Sequence, residues 1–595
     1  MSQPARPLPL LAYDTSAYEL SPDLNAAAVP WSPADVAEAI RARADAELAR
    51  RELLIDYYRI GTPLAYPLPV SRRFRIEELP VGISSITYPW LIWQVWALEE
   101  RWRILHAAWR MQANPAAGAC LQAELAALRA WDCFKETSNE VGLVTGHIAG
   151  VLALALDATA GWGAAALADA QAAADALLDR DVAPWFTRQW PPGEPLTPLR
   201  LHNIPVIALV RAAQLARVRR HPFTPALEAQ AIEALESWVR YRTEQNHTEG
   251  TSYDGYLMDS LTGWLATLPQ RDALFGPARA ALRSLADQWM ALALPGRLDL
   301  HAPLGDTEPQ MPFWLNALQR LARWYDWPDV AWFVSRVPLV RLPAALLAEY
   351  AATPAPAGLP PTGSSVVANA VTYRSGWQRR DHTVTVSLPR VPLHHLHPDA
   401  GHVIVGWHGR FWITDPGYQQ YRPGEERDYT IGSAAHNAPV IGGRAQSDFA
   451  AELVRWEHTD AGLQAVIELS RCYRDLPAGA SVRRTVQIAA GEDPHVTVAD
   501  EFTGFQAGEI ISYHWLGGAQ LAWSGVDGWA RLSDGTHALW LGLEGETLSA
   551  SRLVRHPGSR GALTLTHATT LPTGRGVRRW VIRAGAAGRW QPPAS

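Results

Sequence analysis

Between His394 and Gly443 the chain gathers His394, His395, His397, His402, His408 and His436 together with Asp399 and Asp415. Imidazoles and carboxylates are the side chains that move protons near neutral pH or hold divalent cations. His395 and His397 stand two apart, so on an extended strand both project from one face. The alternation in HVIVGWHGRFWIT predicts two short strands joined by a tight turn at Trp407-His408-Gly409. Such a hairpin returns Asp415 toward the histidine pair, and His436 follows after a polar loop. Two imidazoles and a carboxylate converging from separate strands suit Zn²⁺, a borderline-soft ion that takes nitrogen and oxygen ligands.

In order, the region reads His395-Leu396-His397-Pro398-Asp399, Gly409, Asp415-Pro416-Gly417, Tyr421, Arg427 and Ala435-His436-Asn437. This pattern resembles the heparinase II/III-like polysaccharide lyases, a family that includes alginate and oligoalginate lyases. The resemblance implies that the region opens a β-sandwich that follows an α-helical toroid. It implies an active-site role for His395 and a structural metal held by His397, Asp415 and His436. For Tyr421 and Arg427 it implies substrate contact or bracing of the loop between the metal residues.

Breaking an acidic polysaccharide by β-elimination sets three tasks. The uronic carboxylate must be stabilised as the C5 proton leaves, a base must take that proton, and an acid must protonate the departing oxygen. The resemblance places an Asn before an apolar helix for the first task, which points to Asn203, with His202 beside it as a substrate contact. Asn203 also reads as an N-cap, with Pro205 in the first turn. It places a Tyr after a Glu-Gly step as the acid. Setting Asp254-Gly255 on that step leaves Tyr256 as the nearest hydroxyl, with Tyr253 as the alternative or as a substrate contact. His395 is then the base. The loop Pro303–Trp314 carries Asp306 and Glu308, which either line the cleft or cap a helix. The competing readings are a glycoside hydrolase using carboxylates among Glu249, Asp254 and Asp259, and a non-catalytic glycan-binding relative.

The elements that must position these residues divide the chain of 595 residues, which is too long for one core. Residues 1 to about 30 are proline-rich, and Ser32-Pro33 starts a helix read through Leu54. Helical periodicity then runs over Tyr88–Ala113, Gly118–Trp131, Thr137–Ala160, Gly163–Arg188, Ile204–Arg219, Pro225–Gln245, Leu257–Leu268, Pro277–Leu294 and Met311–Tyr325, with no strand between. Such a run suits an α/α toroid or helical array. Four prolines between Ala351 and Ser364 read as a linker. Beyond it, short alternating segments with Asp-Gly and Gly-Gly turns predict an antiparallel β-sandwich. The expected layout is a helical domain over 1–350, a linker over 351–364 and a sandwich over 365–595.

Composition narrows the partners. A net charge of −6 and a pI near 6.3 argue against nucleic acid, while a locally basic cleft still admits an acidic glycan. Trp is abundant at 27 residues, which fits sugar stacking, although most Trp side chains belong to cores. Cys120, Cys133 and Cys472 make no disulfide framework and read as buried and reduced. No segment has the length of a membrane span, and the N-terminus lacks a secretory pattern, so a cytoplasmic protein is expected, or a periplasmic one if a signal has been removed. Homo-oligomerisation stays open.

Overall fold

The computed structural model describes residues 32–55, 64–78, 87–136, 140–269, 271–307, 313–337, 344–350, 358–393, 395–417, 424–559 and 561–587. The first helix, Pro33–Ala49, starts as its sequence dictates. Ser32 accepts the Asp35 N–H, and Asp35 reaches back to the Ser32 N–H, satisfying two end donors at once. It stops at Arg50, short of the expected Leu54, because Glu52–Ile55 leaves to pair antiparallel with Leu64–Pro67.

The longer helices close on themselves. Thr87–Gln112, Leu143–Leu156, Asn203–Arg219, Thr251–Leu265, Phe313–Tyr325 and Ala344–Tyr350 each pack on the next, and the last packs back on the first. The outer helices Pro115–Ala127, Ala164–Ala176, Thr224–Gln245, Arg271–Leu292 and Pro328–Val334 each return the chain between two inner ones. The sequence reflects this division. Leu143–Leu156 is buried on almost every side, whereas Thr224–Gln245 buries one stripe led by Leu227, Ala231, Leu235 and Trp238. Because every outer helix runs backward, the inner helices run parallel and open their N-termini at one mouth of a toroid. Among the described residues two short hairpins lie in the helical half, and the second falls within the run read as strand-free. One is the pair already described, and the other joins Ala293–Leu294 to Arg297–His301.

The second half is antiparallel throughout. A five-stranded sheet begins at Gly363–Val367 and ends in the hairpin Val403–Trp407/Arg410–Ile413, and it packs with a four-stranded and an eight-stranded sheet. Trp407 pairs with Arg410, leaving a two-residue turn, and both His408 (φ +51°) and Gly409 (φ +73°) take the left-handed conformations that such a turn requires. Many tryptophans are core: Trp102, Trp238, Trp264 and Trp289 in the helices, and Trp407, Trp412, Trp515, Trp540 and Trp580 in the sheets, are fully buried. Residues 351–357 of the expected linker lie outside the described residues.

The two halves share a small core of their own. Leu292, Ala302 and Leu304 from the helical half pack with Val367, Ala370 and Ile404 from the sheets. Arg374, buried on its strand, donates to the carbonyls of Met290 (3.1 Å) and Ala293 at the helix end. This joint brings the toroid mouth against the first loops of the sandwich.

Candidate active site

Three stretches of the helical half reach that mouth. Asn203 is the first residue of its inner helix, and His202, not Asn203, takes the N-cap position. The Asn203 side chain is thereby left to turn across the mouth, where its Nδ2 donates to Glu249 Oε2 at 2.8 Å. Glu249-Gly250 immediately precedes the next inner helix, which begins at Thr251 and not near Leu257, so Tyr253 and Tyr256 sit on helix and not in a loop. Gly250 needs no side chain here: its φ is +92°, and a Cβ would meet the His395 carbonyl at 3.6 Å. The third stretch follows the hairpin strand Arg297–His301 and presents Asp306.

From the sandwich side come His395 and His397. They do not lie on a strand. The segment between His382–Ser387 and Val403–Trp407 is an irregular loop, and its shape is set by the helical half. The Asp306 N–H donates to the His395 carbonyl at 2.8 Å, and Gly305, at φ +69°, passes so close that a Cβ would lie 2.3 Å from that same oxygen. Both imidazoles nevertheless share one target. His395 Nδ1 lies 3.2 Å from Asp306 Oδ2, and His397 Nε2 lies 3.1 Å from Asp306 Oδ1. Arg427, on the helix Glu425–Ile431, donates to both oxygens of the same carboxylate at 2.7 and 3.3 Å. Burial pushes the Asp306 carboxyl up, but the hydrogen bonds from His395, His397 and Arg427 outweigh it and hold the group well below the usual carboxylate range.

The other face of His395 carries the decisive contact. The Tyr253 ring stacks flat on the imidazole, with centroids 3.4 Å apart and planes 1° from parallel. Glu249 Oε2 stands 3.9 Å from His395 Nε2. Tyr256, expected as the acid, is placed elsewhere. Its hydroxyl accepts from Trp96 Nε1 at 2.9 Å and hydrogen-bonds His147 Nε2, while His147 Nδ1 is bound to Glu99. Glu249-Gly250, four residues ahead of Tyr253, is an acid–glycine step just before this helix. The Asp254-Gly255 pair on which the expected acid was set lies five residues further on, inside the helix. Asp254 is a buried brace: it accepts from Thr248 and from the Glu249 N–H (2.9 Å) and faces Arg242 at 3.5 Å. Tyr421 lies outside the described residues, as does Glu308.

Comparison with known proteins gives the fold its place. Residues 367–587 match the family model Heparinase II/III-like, C-terminal. This part of the chain is similar to the C-terminal domain of that family. Among solved structures, one of heparinase III aligns with a TM-score of 0.64 at 13% identity, covering 96% of this chain and 87% of that one. The heparan sulfate lyase HepC from Pedobacter heparinus aligns with a TM-score of 0.52 at 13% identity, covering 97% of this chain and 87% of that one. At such identity the shared property is the fold, a helical toroid followed by a β-sandwich. Comparison with curated protein sequences found no match.

Within the matched region, His397, Asp415 and His436 form a buried trio that can hold a metal ion, with ligand atoms all within 4.8 Å of one another. Asp415 Oδ2 and His436 Nε2 stand 3.1 Å apart, near the roughly 3.3 Å between two ligands on one tetrahedral ion. Neither atom has a hydrogen-bonding alignment, and His397 Nδ1 is likewise buried without a partner. Three buried polar atoms without aligned hydrogen-bond partners converge here, an arrangement that a cation would satisfy. The residues present fit a metal. His402, also close at 3.5 Å from Asp415 Oδ2, is not a ligand. Its Nδ1 accepts the Asn437 N–H at 3.0 Å, so its Nε2 carries the proton of the neutral ring and has no lone pair to offer.

The metal loops are pinned from behind by Asn437 of the Ala435-His436-Asn437 motif and by Arg484, which no motif announced. Asn437 pairs with Val403 as a strand would, accepting its N–H and donating to its carbonyl at 2.8 Å each. Arg484, fully buried, grips Asp500 through two 2.7 Å bonds and donates onward to the carbonyls of Gly401 (2.8 Å) and Asn437 (3.1 Å). Gly417 closes the Asp-Pro-Gly turn where a Cβ would fall 2.7 Å from the Thr307 carbonyl, so this turn too is fitted against the toroid.

Proposed function

We propose that this protein is a polysaccharide lyase that cleaves a uronic-acid-containing glycan by β-elimination. The observation that carries the reading is the stacking of Tyr253 on His395 beside the Asn203–Glu249 pair at the toroid mouth. In this reading Asn203 and Glu249 receive the uronic carboxylate. Burial pushes the Glu249 carboxyl up to about 8, so near neutral pH it keeps a proton it can donate, and its Oε1 is buried with no hydrogen-bond partner. His395 Nε2 takes the C5 proton. The C4–O bond then breaks, a C4=C5 double bond forms, and the Tyr253 hydroxyl gives its proton to the departing glycosidic oxygen. No water is consumed. The inner helices Asn203–Arg219 and Thr251–Leu265 aim their positive N-terminal ends at this place, which favours an anionic ligand on a protein of net negative charge.

The metal is assigned as Zn²⁺ on the two-imidazole, one-carboxylate donor set, with a structural role in bracing the loop that presents His395. Of the three carboxylates that the hydrolase alternative named, Glu249 alone stands at the mouth, and the other two are held by partners of their own. Asp254 is engaged by Thr248 and Arg242, and Asp259 is held by Arg211 at 3.3 Å and Arg320 at 2.9 Å. Incubation with alginate, heparan sulfate and hyaluronan tests the proposal through the ultraviolet absorbance of the unsaturated uronate product. Release of reducing ends without that absorbance would transfer the protein to the hydrolases. Among the described residues no helix is long and apolar enough to cross a membrane.

A further inference from the structure

We propose that Asp306 is a positioning residue that sets the ring tautomers of His395 and His397 together, coupling the base to the metal centre through one carboxylate. The argument starts from what each atom can do. A neutral imidazole has one N–H and one lone pair, and an ionised carboxylate only accepts. A ring nitrogen facing Asp306 must therefore be the one that carries hydrogen. For His395 that nitrogen is Nδ1, 3.2 Å from Oδ2; for His397 it is Nε2, 3.1 Å from Oδ1. The two rings thus turn opposite nitrogens toward the same side chain. The lone pair of His395 is left on Nε2, on the side of Glu249, where a base acting at the mouth must have it. The lone pair of His397 is left on Nδ1, the buried and unpartnered atom of the metal trio. One carboxylate thereby performs both the base-orienting and the metal-ligand-orienting task, which separate acceptors usually perform.

The surroundings hold Asp306 to this role. Its backbone N–H is fixed on the His395 carbonyl, Thr307 Oγ1 ties the turn to the Leu304 carbonyl at 2.7 Å, and Arg427 occupies the remaining acceptor directions while balancing the charge. Asp306 belongs to the helical half and the two histidines to the sandwich. The metal centre and the base are accordingly oriented only when the halves are docked.

The part of this inference that concerns the base rests on the lyase reading, and the part that concerns the metal does not. The test is Asp306→Asn in the full chain, since an amide offers one acceptor and one donor and cannot accept from both rings. We expect Zn²⁺ affinity, measured by competition with a chromogenic chelator, to fall about 10- to 100-fold. We expect kcat on whichever glycan the wild type cleaves to fall on the order of 10³-fold or more, with KM changed only a few-fold. In metal-free wild type labelled with ¹⁵N-histidine, long-range proton–nitrogen spectra should assign the N–H to Nδ1 in His395 and to Nε2 in His397. That readout decides the matter even if the variant does not fold. The opposite tautomer in either ring, or Zn²⁺ affinity within threefold of wild type in a folded variant, would overturn the inference. Should the wild type cleave no uronic glycan, the lyase reading fails while the Zn²⁺ and tautomer measurements still judge Asp306.

Discussion

At the scale of single residues, the two tyrosines of one helix separate chemistry from packing. Tyr253→Phe removes the hydroxyl proposed as the acid and should lower kcat by roughly 10²- to 10⁴-fold, with the fold intact. Tyr256→Phe removes a hydroxyl whose partners, Trp96 Nε1 and His147 Nε2, already lie 3.0 Å apart and can bond each other. It should cost about 1 kcal/mol of stability and leave kcat per folded molecule within a few-fold. Steady-state rates paired with urea melts distinguish the two, and the reverse ranking would return Tyr256 to the site. Glu249 gives a second residue-level outcome, in pH. Its carboxyl is raised from 4.5 to about 8, chiefly by burial. The unfolded chain therefore loses this proton near pH 4.5, while the folded chain keeps it to about pH 8. Folding takes up a proton across that window, so this group's contribution to stability falls as pH rises, by up to about 1.4 kcal/mol per pH unit. Glu249→Gln cannot titrate, and its stability relative to wild type should climb between pH 5 and 8. A constant difference across urea melts in that range would mean that folded Glu249 is ionised.

At the scale of elements, what was legible in the sequence is what local rules determine. The turn at His408-Gly409 and the Ser32 cap are written in neighbouring residues, and the structure has both. The metal trio was also legible, because His397, Asp415 and His436 each sit in a recognisable short pattern. Asp306 was legible only as a carboxylate that lines the cleft or caps a helix, because its partners lie 89, 91 and 121 residues away and nothing beside it in the chain signals them. The strand expected at His395–His397 failed for a related reason. That loop takes its shape from Gly305 and Asp306 across the joint, not from its own alternation. Gly305→Ala tests this. It adds left-handed strain and sets a methyl against the His395 carbonyl, so it should cost roughly 1–3 kcal/mol and lower kcat/KM at least 10-fold. Gly479→Ala, also at positive φ (+78°) but with nothing within 4 Å of its added Cβ, should carry the strain alone and keep activity. Equal activity in the two variants would show that the loop does not depend on the fit of Gly305.

At the scale of the molecule, the metal trio lies in the sandwich, yet one of its ligands is bound to the toroid. His397 meets Asp306, Gly417 of the Asp415 turn fits against Thr307, and the joint also has a small apolar core around Leu304 and Ile404 and the Arg374 bonds to the carbonyls of Met290 and Ala293. A metal at His397, Asp415 and His436 would therefore brace the seam between halves as well as one loop. Binding to the folded state alone stabilises by RT ln(1 + [L]/Kd), about 2.7 kcal/mol at a free concentration 100 times Kd. Removing it also leaves three buried polar atoms without partners. Treatment with a chelator should lower the melting temperature and abolish glycan cleavage, and added Zn²⁺ should restore both. In His436→Ala, where the trio is already broken, the chelator should shift nothing further. An identical melting temperature with and without chelator in the wild type would show that the seam holds without the metal, which would lose its structural role.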